Sequence, residues 1–222
     1  MFKTLLSATA LALISNVAAA GTYLVTVTNN MHDELLAPVL VTDAANDRFI
    51  FTGGGTYVTP EAEEQILTGD PAALAARIGA NAMAGHGANV AHGTDGPPGV
   101  LLAPGKSLSF VINTEADKLR VLAMVAPTKV PDNFVTALVD LGAMMMDDGM
   151  KDDAMMDDGM ASDDMAGDTM ADDSMASDTM MDDTMMAGPV ALQRFDIGND
   201  EGTNTISGVA GNFATVTITP QN

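Results

Sequence analysis

The chain has no cysteine, and that absence excludes two things at once. No disulfide can staple the fold in an oxidising compartment, and no thiol is present to act as a nucleophile. Basic residues are scarce as well. Nine lysines and arginines stand against thirty aspartates and glutamates, for a formal charge of −21. A polyanion such as duplex nucleic acid, or an anionic membrane surface, would be repelled by such a chain, so cations are the expected partners. Histidine is limited to His32, His86 and His92. The last two sit in "GHGANVAHG", whose His-x₅-His spacing in a glycine-rich stretch is unlike the closer spacings of zinc sites. No serine has a nucleophile-elbow context, and no acid/base constellation stands out. The expectation is a protein that binds rather than catalyses.

Long apolar runs are missing too, except at the start. Lys3 precedes an apolar stretch over 5–17, and Ala18, Ala19 and Ala20 follow it. A short apolar region with a positive flank and small residues after it reads as an export signal over 1–20, too short to span a bilayer as a helix. No later window is apolar enough to span, so the mature chain is expected to be exported, periplasmic or extracellular, without a membrane span. With no disulfides, its stability must come from an apolar core, from bound ions, or from both.

What the chain does have in excess is methionine and aspartate. Around "MMDDGMASDDMAGDTMADDSMASDTMMDDTMM", residues 155–186, methionine recurs with a strict period of five that starts upstream, at 145 and 150, and runs on from 155 to 185. A helix turns about 100° per residue, so a step of five rotates about 140° and scatters the methionines around the barrel. A strand alternates faces, so an odd step throws successive methionines to opposite sides. Neither element gains an apolar face. Residues 144–187 also hold fourteen aspartates and one lysine, −13 of the total charge of −21. Clustered like charge opposes compaction, so 144–187 is expected to be a disordered insertion. Its pattern resembles bacterial Met-x-x-Asp-x pentapeptide repeats. Thioethers suit Cu(I) and carboxylates suit Ca²⁺ or Mg²⁺, so soft-metal binding there is an open alternative beside a merely solvated acidic loop.

Setting aside 1–20 and 144–187 leaves 158 of the 222 residues, in 21–143 and 188–222, enough for one domain with its own core. These read as β. Residues 22–28 alternate and are rich in β-branched side chains. A second strand is expected over 37–42, with Pro38 near its start. Strands over 107–113 and 118–125 are expected to pair as a hairpin through 114–117. Late strands are expected over 190–195 and 213–219. Asp70 as N-cap and Pro71 at the first position open a helix that Gly79 should stop, and 61–67 is a second helical turn. Residues 84–99 are expected to be glycine-rich loop. Many short strands with one or two short helices predict an all-β antiparallel sandwich.

Four stretches resemble the spondin domain of F-spondin, mindin and many exported bacterial proteins. "TYLVTVTNNMHDELLAPVLV" resembles its opening strand, Asn-rich turn and Pro-led second strand. "PEAEEQILTGDPAALAARI" resembles an "AE-x-G" stretch and short helix, with Gln65 where glycine is common. "LLAPGKSLSFVI" and "LRVLAMVAPTKVPDNFV" resemble the "PG-x-S" strand and the "Met-x-x-Pro…Asp-x-Phe" loop, here two residues longer. "FDIGNDEGTN" resembles the "DAGTE" signature, with Ile197 and Asn199 in place of alanine and threonine and Asp200 where its acid is expected.

The resemblance implies a C2-like sandwich with a divalent cation held by loops at one end, used in adhesion to a cell-surface or extracellular protein or glycan. Carried over by motif, the implied ligands of a Ca²⁺ ion are Glu63, Asp132 and Asp196, with Asp200 or Glu201 near. The alternative function is metal sequestration by the Met/Asp segment.

Overall fold

A computed structural model describes residues 20–126, 132–142, 188–199 and 201–221. The expected export signal, apart from Ala20, and the whole of 144–187 lie outside these residues. In chain order the strands are β1 (Gly21–Asn29), β2 (Leu35–Leu36), β3 (Val39–Asp43), β4 (Phe51–Thr52), β5 (Tyr57–Val58), β6 (Ala88–Ala91), β7 (Ser107–Thr114), β8 (Lys118–Ala126), β9 (Asn133–Asp140), β10 (Val190–Asp196) and β11 (Ser207–Pro220). Helices α1 (Pro60–Thr68) and α2 (Ala72–Asn81) and a 3₁₀ helix, Ala44–Phe49, lie between β3 and β6.

The main sheet runs β6-β3-β8-β9-β10-β11-β1-β7, with β2 alongside β8, and every described pairing is antiparallel. The fold is the expected all-β sandwich. It forms because β9 and β10 pair only from Asn133↔Asp196 to Thr136↔Gln193 and then part. Beyond that point β9 stays with β8 and β10 with β11, so two four-stranded layers face each other. Tyr23, Val25 and Val27 of β1 meet Val121, Ala123 and Val125 of β8 and Val135 and Val139 of β9 in the core between the layers. The other face of β1 carries Leu24 and three threonines, and two of the threonines bridge to β7: Thr26–Ser109 at 2.9 Å and Thr28–Ser107 at 2.8 Å. One covered face explains the clean alternation of β1.

β3, β8 and β9 are covered on both faces. Leu40, Leu122 and Phe134 point away from the inter-layer core into a second one, closed by Ala62 and Ile66 of α1 and Leu74 and Ile78 of α2. Thr59 Oγ1 donates to the Phe49 carbonyl (2.6 Å) just before α1. Asp70 Oδ1 accepts the Ala72 amide (2.9 Å) just before α2, but the helix starts one residue later than expected: Pro71 rather than Asp70 is its N-cap, and no side chain caps it. Arg77 of α2 pairs with Glu61 of α1. The Glu61 carboxyl is held below its ordinary range by its own backbone N–H and then by Arg77, against a partial desolvation. The Asn-rich turn after β1 is also accounted for. Buried Asn29 donates to the Glu34 (2.9 Å) and Leu102 (3.0 Å) carbonyls and accepts the Met31 amide (3.0 Å), tying the turn after β1 to the segment before β7.

Four expectations are corrected. β7 and β8 do not form a hairpin: β7 pairs with β1, and β8 pairs with β2, β3 and β9, so 115–117 crosses between layers. The second strand begins at Val39, after Pro38, with the short β2 before it. Gly79 does not stop α2, which ends at Asn81 with Ala82 in extended conformation. Residues 84–99 are not all loop, because β6 adds an edge to β3 there.

One buried group is out of keeping with its surroundings. Gln65 on α1 is 1 % exposed, and neither its Oε1 nor its Nε2 has a hydrogen-bond partner among the described residues. A buried amide without partners costs about 1–3 kcal/mol. Gln65→Met keeps length and volume and removes the penalty, so it should raise stability by about 1–2 kcal/mol in urea denaturation. A fall in the midpoint would mean that the amide has a partner after all.

Candidate metal centre

The sequence places Asp132 and Asp196 sixty-four residues apart, and pairing of β9 with β10 brings them together. Asp132 immediately precedes β9, and Asp196 ends β10, opposite Asn133 in register. From Asp196 the chain turns back on itself. Asp196 Oδ1 accepts the Gly198 amide (2.5 Å), and the Gly198 carbonyl accepts the Thr203 (2.9 Å) and Asn204 (3.3 Å) amides. Gly198 has φ +65°, and a Cβ there would stand 2.1 Å from Thr203 Oγ1, so only glycine closes this turn. The turn carries Glu201 back over the strand ends.

One carboxylate oxygen each from Asp132, Asp196 and Glu201 then lies within 4.8 Å of the others. Asp132 is fully buried, Asp196 partly so, and Glu201 exposed. Hydrogen bonds hold the first two in place. Asn199 N–H donates to Asp132 Oδ2 (2.8 Å), and the Ile197 amide to the Asp132 carbonyl (3.2 Å). Asn133 Nδ2 reaches Asp132 Oδ1 (3.4 Å) and Asp196 Oδ2 (3.2 Å). Asn133 is itself fixed by Arg194, whose Nε donates to Asn133 Oδ1 (2.8 Å) while its Nη1 and Nη2 grip Glu34 (2.7 and 3.1 Å).

Of the five residues implied by the resemblance, the fold brings Asp132, Asp196 and Glu201 together. Asp200 lies outside the described residues. Glu63 is not part of the group; it sits in the first turn of α1, where a carboxylate also favours the helix N-terminus, and lines a small pocket with Ile197 and Asn204. Sequence reasoning missed Asn133 and Arg194. Asn133 is adjacent to Asp132, but nothing in the sequence signals that it bridges two acids. Among the described residues, no group of three metal-ligating side chains includes a histidine. His86 is tied to Asp43 instead and stands 4.0 Å from Glu115.

The donor set fits a hard cation. Ca²⁺ takes six to eight oxygens at about 2.3–2.6 Å, so two ligand oxygens on opposite sides of it are separated by about 4.6–5.2 Å. A group spread over 4.8 Å or less lies inside that span. Each carboxylate has about four acceptor positions, so the amide hydrogen bonds leave room for ligation. Three carboxylates would complete the shell with further oxygens from backbone or water. No protein-family model matches the chain, and no curated protein matches it.

Proposed function

We propose that the chain is an exported, Ca²⁺-supported binding module of spondin type, acting in adhesion to a cell-surface or extracellular protein or glycan. The observation that carries the cation is the convergence of Asp132, buried, with Asp196 and Glu201 of a turn more than sixty residues further along the chain. Three negative charges this close repel one another, and a divalent ion removes the repulsion. An ion joining the β9 start to the 196–204 turn would stiffen that end of the sandwich as a contact surface. Asp200, next to Glu201, is a further oxygen donor in this reading. The resemblance supports export and the adhesive role.

Calorimetric titration with Ca²⁺, Zn²⁺ and Cu(I), on the chain with and without residues 144–187, tests this. The binding module gives Ca²⁺ affinity in both forms. Soft-metal binding that vanishes with 144–187, and no Ca²⁺ binding in either form, would establish sequestration instead. The shortened chain should fold, because the segment joins neighbouring strands, β9 ending at Asp140 and β10 beginning at Val190. Loop closure costs grow as (3/2)RT ln n, so shortening the connection tenfold with a Gly/Ser linker changes stability by only about 2 kcal/mol, in the stabilising direction.

A further inference from the structure

A cleft of about 460 Å³ opens over the outer face of β8, β9 and β10, beside the 3₁₀ helix, and the cation reading makes no use of it. Its floor is aromatic and aliphatic: Phe134 and Phe195 stack with centroids 5.6 Å apart, and Phe51 and Ile206 extend the surface. Gly54 and Gly55, both with positive φ and with no atom within 4 Å of an added Cβ, leave one wall open. Arg48 and Arg120 line the same cleft.

We propose that this cleft binds a small organic anion with an apolar or aromatic body. Its volume is within the range of small-molecule sites, about 300–1,000 Å³, and an apolar lining with a few polar groups is what such sites share. The charge comes from a scarce resource, since only nine residues of the chain are basic. Arg120 is 15 % exposed and gives Nε and Nη2 to the two oxygens of Asp47 (2.9 and 2.6 Å). That fork pair both anchors Arg120 and neutralises Asp47, which removes the one carboxylate of the cleft as an attraction for cations. Arg48 is exposed, lies over the Phe49 ring at 4.7 Å, and has no carboxylate within 4.0 Å among the described residues. Its planar fork is therefore available to a carboxylate or sulfonate whose body rests on the phenylalanine floor.

The test is fluorescence titration of the full chain with 8-anilinonaphthalene-1-sulfonate, an aromatic anion. One saturable site is expected, emptied by octanoate and not by octylamine. Arg48→Gln should weaken the probe about tenfold, and Ile206→Trp, which fills the floor, should abolish binding with the circular dichroism spectrum unchanged. The absence of a saturable site on the folded chain would overturn the proposal. So would displacement by octylamine as effective as that by octanoate, or equal affinity in wild type and Arg48→Gln. The surface position of Arg48 keeps the test decisive even where Ile206→Trp impairs folding.

Discussion

Phe134→Ala is expected to remove about 3–5 kcal/mol of stability, the range for truncating a buried phenylalanine. Phe134 is fully buried and stands where three parts of the molecule meet. It belongs to the buried cluster that joins Leu40 and Leu122 of the sheet, Ile66 of α1, Leu74 and Ile78 of α2, and Ile197 of the turn beyond β10. It also stacks on Phe195, directly opposite in register, at an interplanar angle of 25°. Truncation removes ring contacts at the junction of the second core and the cleft floor, where the packed neighbours can close the gap only in part, and adds the loss of the ring pair, about 0.5–1.5 kcal/mol. Four residues along the same face of β9, Leu138 is 46 % exposed, beyond the helices. Leu138→Ala should cost about 1 kcal/mol or less. Urea denaturation of both variants with unchanged slope measures the difference. Near-equal losses would mean that the helices do not pack on the sheet as described.

The same two-sided burial decides how much of the fold was legible. β1 has one wet face, and its alternation marks it as a strand and identifies its inner side. β8 is buried on both sides, so "LRVLAMVA" marks a strand but not which face meets which core. Period two is identical in a hairpin and in a crossover, which is why 107–113 and 118–125 invite a pairing that the fold does not make. The two layers compete for β7, and the polar bridges of Thr26 and Thr28 to Ser109 and Ser107 place it beside β1. β6 has four residues, and His86, Gly87 and Gly93 around it hide it among loop residues; its partner β3 supplies the pattern. Gly79 reads as a stop only because glycine often terminates helices through positive φ, and here its φ is not in that region.

The candidate site was legible as residue types and not as a place. Asp132 follows Pro131 and Asp196 stands two residues before Gly198, so each resembles an ordinary turn acid. Their meeting depends on four residue pairs between β9 and β10, and burial of Asp132 depends on the turn that Gly198 permits. Glu63 illustrates the reverse. It belongs to an acid-rich helix start, and its sequence context is equally well met by the helix terminus alone.

Adding Ca²⁺ at a hundredfold excess over its Kd should stabilise the folded chain by about 2.7 kcal/mol, read as a rise in melting temperature, because the ion binds only the native arrangement of the three acids. The variants separate ligation from structure. Asp132→Asn and Asp196→Asn should each reduce the shift, but both also disturb hydrogen bonds: Asp132 Oδ2 receives the Asn199 amide, and Asp196 Oδ2 receives Asn133 Nδ2. An asparagine at 196 can present its own amide to Asn133, whose oxygen is already held by Arg194. Glu201→Gln is the cleaner probe, since Glu201 is exposed and makes no described side-chain hydrogen bond or ion pair. Without Ca²⁺ it should melt at or slightly above the wild-type temperature, because one of three repelling charges is gone. With Ca²⁺ it should melt below wild type, its affinity lowered on the order of tenfold, which is about 1.4 kcal/mol. This inversion of rank order is the signature of a ligand. A structural carboxylate would lower the melting temperature equally in both buffers. Millimolar Ca²⁺ that leaves the wild-type melting curve unmoved, with no heat of binding in calorimetry, would remove the cation from the proposed function.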